Sequence, residues 1–149
     1  MFKYKVRKPP SQPLPLGKVN TIPANNEVLS GYVQGAKASD IEERFARGLS
    51  VDKRVDGYQF RFPVISPKNH PGQLEIDFVV QSAGLIYCFQ VDGAYAHKGI
   101  GKQQDDLRKD VLSNEFMRKK YNAMPIRRIP WSKLTTQEQA NFTVRELIR

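Results

Sequence analysis

Two adjacent apolar stretches carry polar residues at alternate positions: Glu75 and Asp77 within Leu74–Val80, and Gln90 and Asp92 within Leu85–Asp92. Only Gln81-Ser-Ala-Gly84 separates them, which predicts an antiparallel hairpin. With Val80 set against Leu85, one face carries Leu74, Ile76, Phe78, Val80, Leu85, Tyr87, Phe89 and Val91. The other carries Glu75, Asp77, Gln90 and Asp92 among Val79, Ile86 and Cys88. Carboxylates in such half-apolar surroundings are costly unless a cation compensates them. Arginines such as Arg61 or Arg127 are one source of that cation. A divalent metal held by Asp77, Gln90 and the carbonyl of Val91 is the other. The metal alternative is the arrangement that phosphodiester cleavage needs, because a cation polarises the phosphate, acidifies the attacking water and supports the leaving oxygen. Magnesium is content with a few hard oxygens and keeps several waters.

The elements around these strands have to position them. Ser39-Asp-Ile-Glu42 reads as a capping box opening a helix of about ten residues, with Ile41, Phe45 and Leu49 on its apolar stripe. Glu42 therefore has two readings, metal ligand and helix cap, and Glu43 takes its place if the helix is rotated. Gly57–Val64 alternates like a strand, and Ser66–Gly72 is a loop. Gly93–Gly101 is a glycine-rich loop carrying His97, five residues past Asp92, where an imidazole titrating near neutrality could take a proton from water. A helix over Lys102–Tyr121 follows, with Leu107, Val111, Leu112, Phe116 and Tyr121 as its stripe. Asp105 and Arg108 on it read as a surface pair or as part of the site. Pro125–Ile129 is a short strand in which Arg127 and Arg128 alternate, so at most one of them faces the polar cluster. Thr135-Thr-Gln-Glu138 opens a last helix by a second capping box, carrying Phe142, Val144 and Leu147. Helix, three strands, helix, strand, helix predicts an α/β domain with a mixed sheet flanked by helices.

The runs Ile76-Asp-Phe-Val-Val80, Phe89-Gln-Val-Asp-Gly-Ala-Tyr-Ala-His97, Gln104-Asp-Asp-Leu-Arg108 and Pro125-Ile-Arg-Arg-Ile-Pro-Trp131 resemble the restriction-endonuclease-like PD-(D/E)xK superfamily. Within it the chain looks most like the small very-short-patch-repair-like endonucleases. The resemblance covers about residues 39–149. It implies a restriction-endonuclease-like fold, a Mg²⁺ (or Mn²⁺) cofactor and a DNA substrate. It assigns Asp77 as the metal-binding aspartate, Gln90 to the Glu position of the (D/E)xK element, and Val91 to the position whose carbonyl binds metal. Asp92 takes the Lys position, His97 the loop histidine, and Glu42 the glutamate of the first helix. Two departures stand out: a neutral Gln90 for Glu, and an anionic Asp92 for Lys. The zinc-binding cysteines of the mismatch-repair enzymes have no counterpart in a chain with one cysteine, Cys88.

Composition agrees with a polyanion binder. The 149 residues carry 24 Lys and Arg against 15 Asp and Glu, for a net +9. The first 38 residues are Pro-rich and basic, reading as an extended arm ahead of a domain over 39–149. Lys3, Lys5, Arg7 and Lys8 on the arm, with Lys98 and Lys102 near the loop, are the expected contacts to DNA phosphates. With no apolar run of membrane-spanning length and no secretory leader in view, a cytoplasmic protein is expected. DNA against RNA stays open, as does a homodimer or larger assembly. Two functions follow: a metal-dependent endonuclease or nickase, and a nuclease-fold protein without catalysis that binds nucleic acid or serves an assembly. An unrelated α/β scaffold with internal salt bridges is a third reading.

Overall fold

The computed structural model describes residues 28–64, 74–93 and 100–148, with the backbone alone for Ile100, Lys102 and Gln103. Strands β1 (Tyr32–Val33) and β2 (Ala36–Lys37) form a small hairpin. Helix α1 (Asp40–Val51), β3 (Gly57–Val64), β4 (Leu74–Ser82), β5 (Leu85–Asp92), α2 (Ile100–Tyr121), β6 (Ile126–Pro130), a 3-10 turn (Trp131–Lys133) and α3 (Gln137–Leu147) follow. The main sheet has the order β3-β4-β5-β6, antiparallel except for the parallel pair β5–β6, so the expected α/β mixed sheet is present. No helix among the described residues is long and apolar enough to cross a membrane.

Helices α1 and α3 cover one face of the sheet. Phe45 of α1 meets Phe78 and Phe89 edge to face at 5.0 and 5.5 Å between ring centroids. The two helices approach closely at Gly48, where a Cβ would meet Val144 Cγ2 at 3.0 Å and the Ala140 carbonyl at 3.3 Å. On the other face, α2 buries Met117 and Tyr121 against Val79, Ile86, Cys88 and Phe62. Its expected stripe is displaced. Leu107 and Val111 are exposed, and Leu112, Phe116, Met117 and Tyr121 make the packing. In α3, Ala140, Thr143 and Val144 are buried while Phe142 is 54% exposed. The α3 cap is Thr136 rather than Thr135, with Gln139 instead of Glu138 as its partner: Thr136 Oγ1 accepts from Gln139 N–H, and Gln139 Oε1 accepts from Thr135 N–H.

The central hairpin is tighter than the sequence reading. Ser82, not Val80, pairs with Leu85, leaving Ala83 and Gly84 as a two-residue turn with φ of +51° and +78°. This matches the turn that favours the right-handed twist of hairpin strands. A shift of two leaves parity intact, but the single apolar face does not survive along β4. Phe60, Phe78 and Val80 pack under α1, whereas Phe62, Leu74 and Ile76, at the same nominal parity, pack under α2. The change falls at Arg61, whose φ is +56°, and at Asp77, which the flanking pairs Phe60–Phe78 and Phe62–Ile76 set opposite it. The alternation is interrupted on both strands at the same level, so register is kept while the faces exchange.

The segment before α1 belongs in part to the domain. Val33 is buried in the α1-side core, and the Glu43 carboxylate accepts from the N–H groups of Ser30 and Gly31 at 2.9 and 2.7 Å. Arg47 pairs with Glu43 at 2.8 Å and donates to the Val28 carbonyl. Glu43 is thus an anchor for the β1–β2 hairpin, and it does not substitute for Glu42.

Candidate functional site

The interruption at Asp77 makes the site. The last regular pair between β4 and β5 on this side is Phe78–Phe89. Past it, side chains replace the ladder. Asp77 N–H donates to Gln90 Oε1 at 2.9 Å, Gln90 Nε2 donates to the Glu75 carbonyl at 3.3 Å, and Val91 N–H donates to Asp77 Oδ2 at 2.8 Å. The Gln90 amide therefore behaves like a peptide group inserted beside β4, taking the N–H of Asp77 and giving a donor to Glu75. Asp77 and Gln90 are neighbours, as the strand pattern implied. Glu75 contributes its carbonyl, and its side chain points to solvent.

Burial pushes the Asp77 carboxyl up to about 6. The Val91 N–H works against this, as does Arg128, while the charges of Glu42 and Asp92 add to it. Glu42 is the helix cap that the sequence offered. Its Oε1 accepts from Ser39 N–H at 2.9 Å, completing the capping box, and its charge acts on Asp77 from the first turn of α1.

Asp92 is not free to act alone. Arg128 Nη1 bonds Asp92 Oδ1 at 2.7 Å, and its Nε and Nη2 bond both oxygens of Asp110 at 2.8 Å. The compensating arginine is thus Arg128, not Arg61 or Arg127. Arg61 lies over the Phe60 ring at 5.7 Å, and Arg127 is exposed. Burial opposes the Arg128 charge, but the carboxylates of Asp110 and Asp92 outweigh it and hold the guanidinium above its ordinary value. Asp110 was not legible in the sequence. It sits on a helix whose apolar stripe is weak, and no local pattern distinguishes it from Asp105 or Asp106. Asp105 itself pairs with Lys109 at 3.1 Å, not with Arg108.

Among the described residues no group of three or more His, Cys, Asp or Glu side chains is close enough to hold a metal ion. The donor chemistry still suits a magnesium-like ion bound by one or two carboxylates. Asp77 Oδ1 accepts no hydrogen bond from the described residues, and the Asp77 surroundings carry more negative charge than Arg128 alone offsets. Gln90 fits the ligand role poorly as placed, because its oxygen is turned onto the Asp77 N–H. Val91 supplies its N–H to Asp77. His97 and Lys98 lie outside the described residues, as do Lys3, Lys5, Arg7, Lys8 and the side chain of Lys102. No family model, no curated protein and no solved structure matches the chain.

Proposed function

We propose that the protein is a Mg²⁺- or Mn²⁺-dependent endonuclease or nickase of restriction-endonuclease-like fold, acting on DNA in the cytoplasm. The observation that carries this reading is Asp77: a half-buried carboxylate at the parting of two strands, pushed up to about 6 by burial and by the charges of Glu42 and Asp92. Such a group gains most from a divalent cation. Asp77 and Glu42 would hold the metal, which would supply phosphate polarisation and water activation. Val91 N–H fixes the orientation of the Asp77 carboxylate. Arg128, braced by Asp110, keeps Asp92 from adding its full charge. His97 takes the proton from the attacking water. The test is plasmid cleavage with Mg²⁺, Mn²⁺ or EDTA, in parent protein and Asp77→Asn. Metal-dependent nicking that the substitution abolishes is the expected result.

A second reading is a nuclease fold without catalysis that binds nucleic acid, and one observation favours it. Both ends of the Gln90 amide are committed to the β4 backbone, where an active relative would present a carboxylate. Absence of metal-dependent cutting on supercoiled, linear and single-stranded DNA would overturn the first reading, and retained binding of those DNAs would support the second.

A further inference from the structure

A cleft of about 430 Å³ runs along β6 on the side of α3, lined by Arg127, Arg128, Lys133, Phe142, Thr143 and Glu146 among others. We propose that it binds an unpaired nucleotide of single-stranded nucleic acid, with Phe142 stacking on the base and Arg127 and Lys133 holding the phosphates. This goes beyond the cleavage reading and does not depend on a metal at Asp77.

The volume is that of a small-molecule site, whereas the outer wall is open like a groove that a chain can cross. Phe142 is 54% exposed on a helix whose neighbours Ala140, Thr143 and Val144 are buried. Its ring borders this cleft and a second concavity on the outer side of α3. The Arg145 guanidinium lies 5.7 Å from the ring centroid, which leaves a planar cation beside an exposed aromatic face. Arg127 and Lys133 are exposed and make no ion pair among the described residues. Around the two concavities Arg127, Lys133 and Arg145 face Glu138 and Glu146, with Arg128 already paired to Asp92 and Asp110, so the cations left for an anion outnumber the acids by one. Basic side chains interleaved with an exposed ring are what single strands use, since a ring can stack only on a base that is not already paired.

Trp131 is the only tryptophan in the chain, and it lies between Pro130 and Lys133, which both line the cleft. Its fluorescence is therefore a local probe. Titration with an oligothymidylate of about ten nucleotides should change Trp131 emission in step with the anisotropy of a labelled strand. Phe142→Ala should weaken binding about 5- to 100-fold, and Phe142→Leu nearly as much, because apolarity without an aromatic face does not stack. Arg127→Ala with Lys133→Ala should lower the salt slope by about 1.4. Melting curves check that each variant folds, which an exposed position favours. Equal affinity in the Phe142 variants, or an unchanged slope in the double variant, overturns the proposal. So does a duplex of the same length binding as tightly as the single strand. Asp77→Asn removes cleavage under the proposed function without touching this cleft, so the two readings fail separately.

Discussion

Asp77 shows how one carboxylate can be costly to the fold and valuable to the site. Folded, it titrates at about 6, against an ordinary 3.8. The native state therefore holds the proton more tightly than the unfolded chain does. Its contribution to stability is fully present below about pH 4 and is lost as pH rises to about 6. Above that, the penalty is on the order of 2–3 kcal/mol. Asp77→Asn should raise the melting temperature of the metal-free protein at pH 8 and leave it nearly unchanged at pH 4, as scanning calorimetry would show. A loss of stability at pH 8 would mean that the Val91 N–H bond to the carboxylate outweighs its burial. Gln90 gives a complementary prediction. Gln90→Glu replaces the Nε2 donor to the Glu75 carbonyl with an acceptor, which should cost about 1–3 kcal/mol without metal. The same change should tighten Mn²⁺ binding in calorimetric titration, since a carboxylate turned outward is a better ligand than an amide turned inward. The proximity of Asp77 and Gln90 was legible from alternation on two strands. The use of the Gln90 amide as a surrogate peptide was not, because it depends on the strands parting at that level.

At the scale of elements, the turn and the arginine bridge decide how the strands are held. Ala83 occupies a left-handed conformation at φ +51° ahead of Gly84 at +78°, a pair of positions that Asn-Gly fills with less strain. Ala83→Asn should stabilise the protein by about 0.5–1 kcal/mol, read as a higher midpoint in urea with an unchanged slope. The sequence pointed to a four-residue connection because Gln81 and Ser82 are polar. Both remain in the strand because Asp56 N–H donates to the Gln81 carbonyl and Ser82 Oγ to that of Arg54. Arg128 ties β6 to β5 through Asp92 and to α2 through Asp110. Its side chain is 29% exposed, so solvent screens the loss, and Arg128→Ala should cost about 2 kcal/mol. Arg128→Lys should recover only part of that, since an ammonium cannot grip both oxygens of Asp110 while reaching Asp92. Helix existence was readable from caps and stripes. Which face of α2 packs was not, because Leu107 and Val111 keep the helical spacing yet lie on the exposed side.

For the whole molecule the question is where the positive charge does its work. Residues 1–38 carry six basic residues and one acid, but the last of them are folded into the domain, with Glu43 and Arg47 gripping residues 28–31. Prolines and charge pointed to an arm over residues 1–38, but residues 28–38 belong with the domain, because Val33 enters the core as an apolar residue in a glycine-flanked hairpin that composition alone marks as arm. The bonds to Val28, Ser30 and Gly31 set residues 28–31 beside α1, at Glu43, the residue after Glu42, which acts on Asp77. Deleting residues 2–23 removes Lys3, Lys5, Arg7, Lys8 and Lys18, taking the net charge from +9 to +4, and leaves the Glu43 anchor intact. If that segment follows DNA phosphates, the slope of log affinity against log salt should fall by up to about 0.9 for each phosphate that is no longer neutralised, with the melting temperature unchanged. A filter-binding series from low to moderate salt on duplex DNA measures it. An equal slope in the deletion and the intact protein would move the phosphate-binding groups onto the body, where Arg127 and Lys133 are exposed and Arg145 stands beside Phe142.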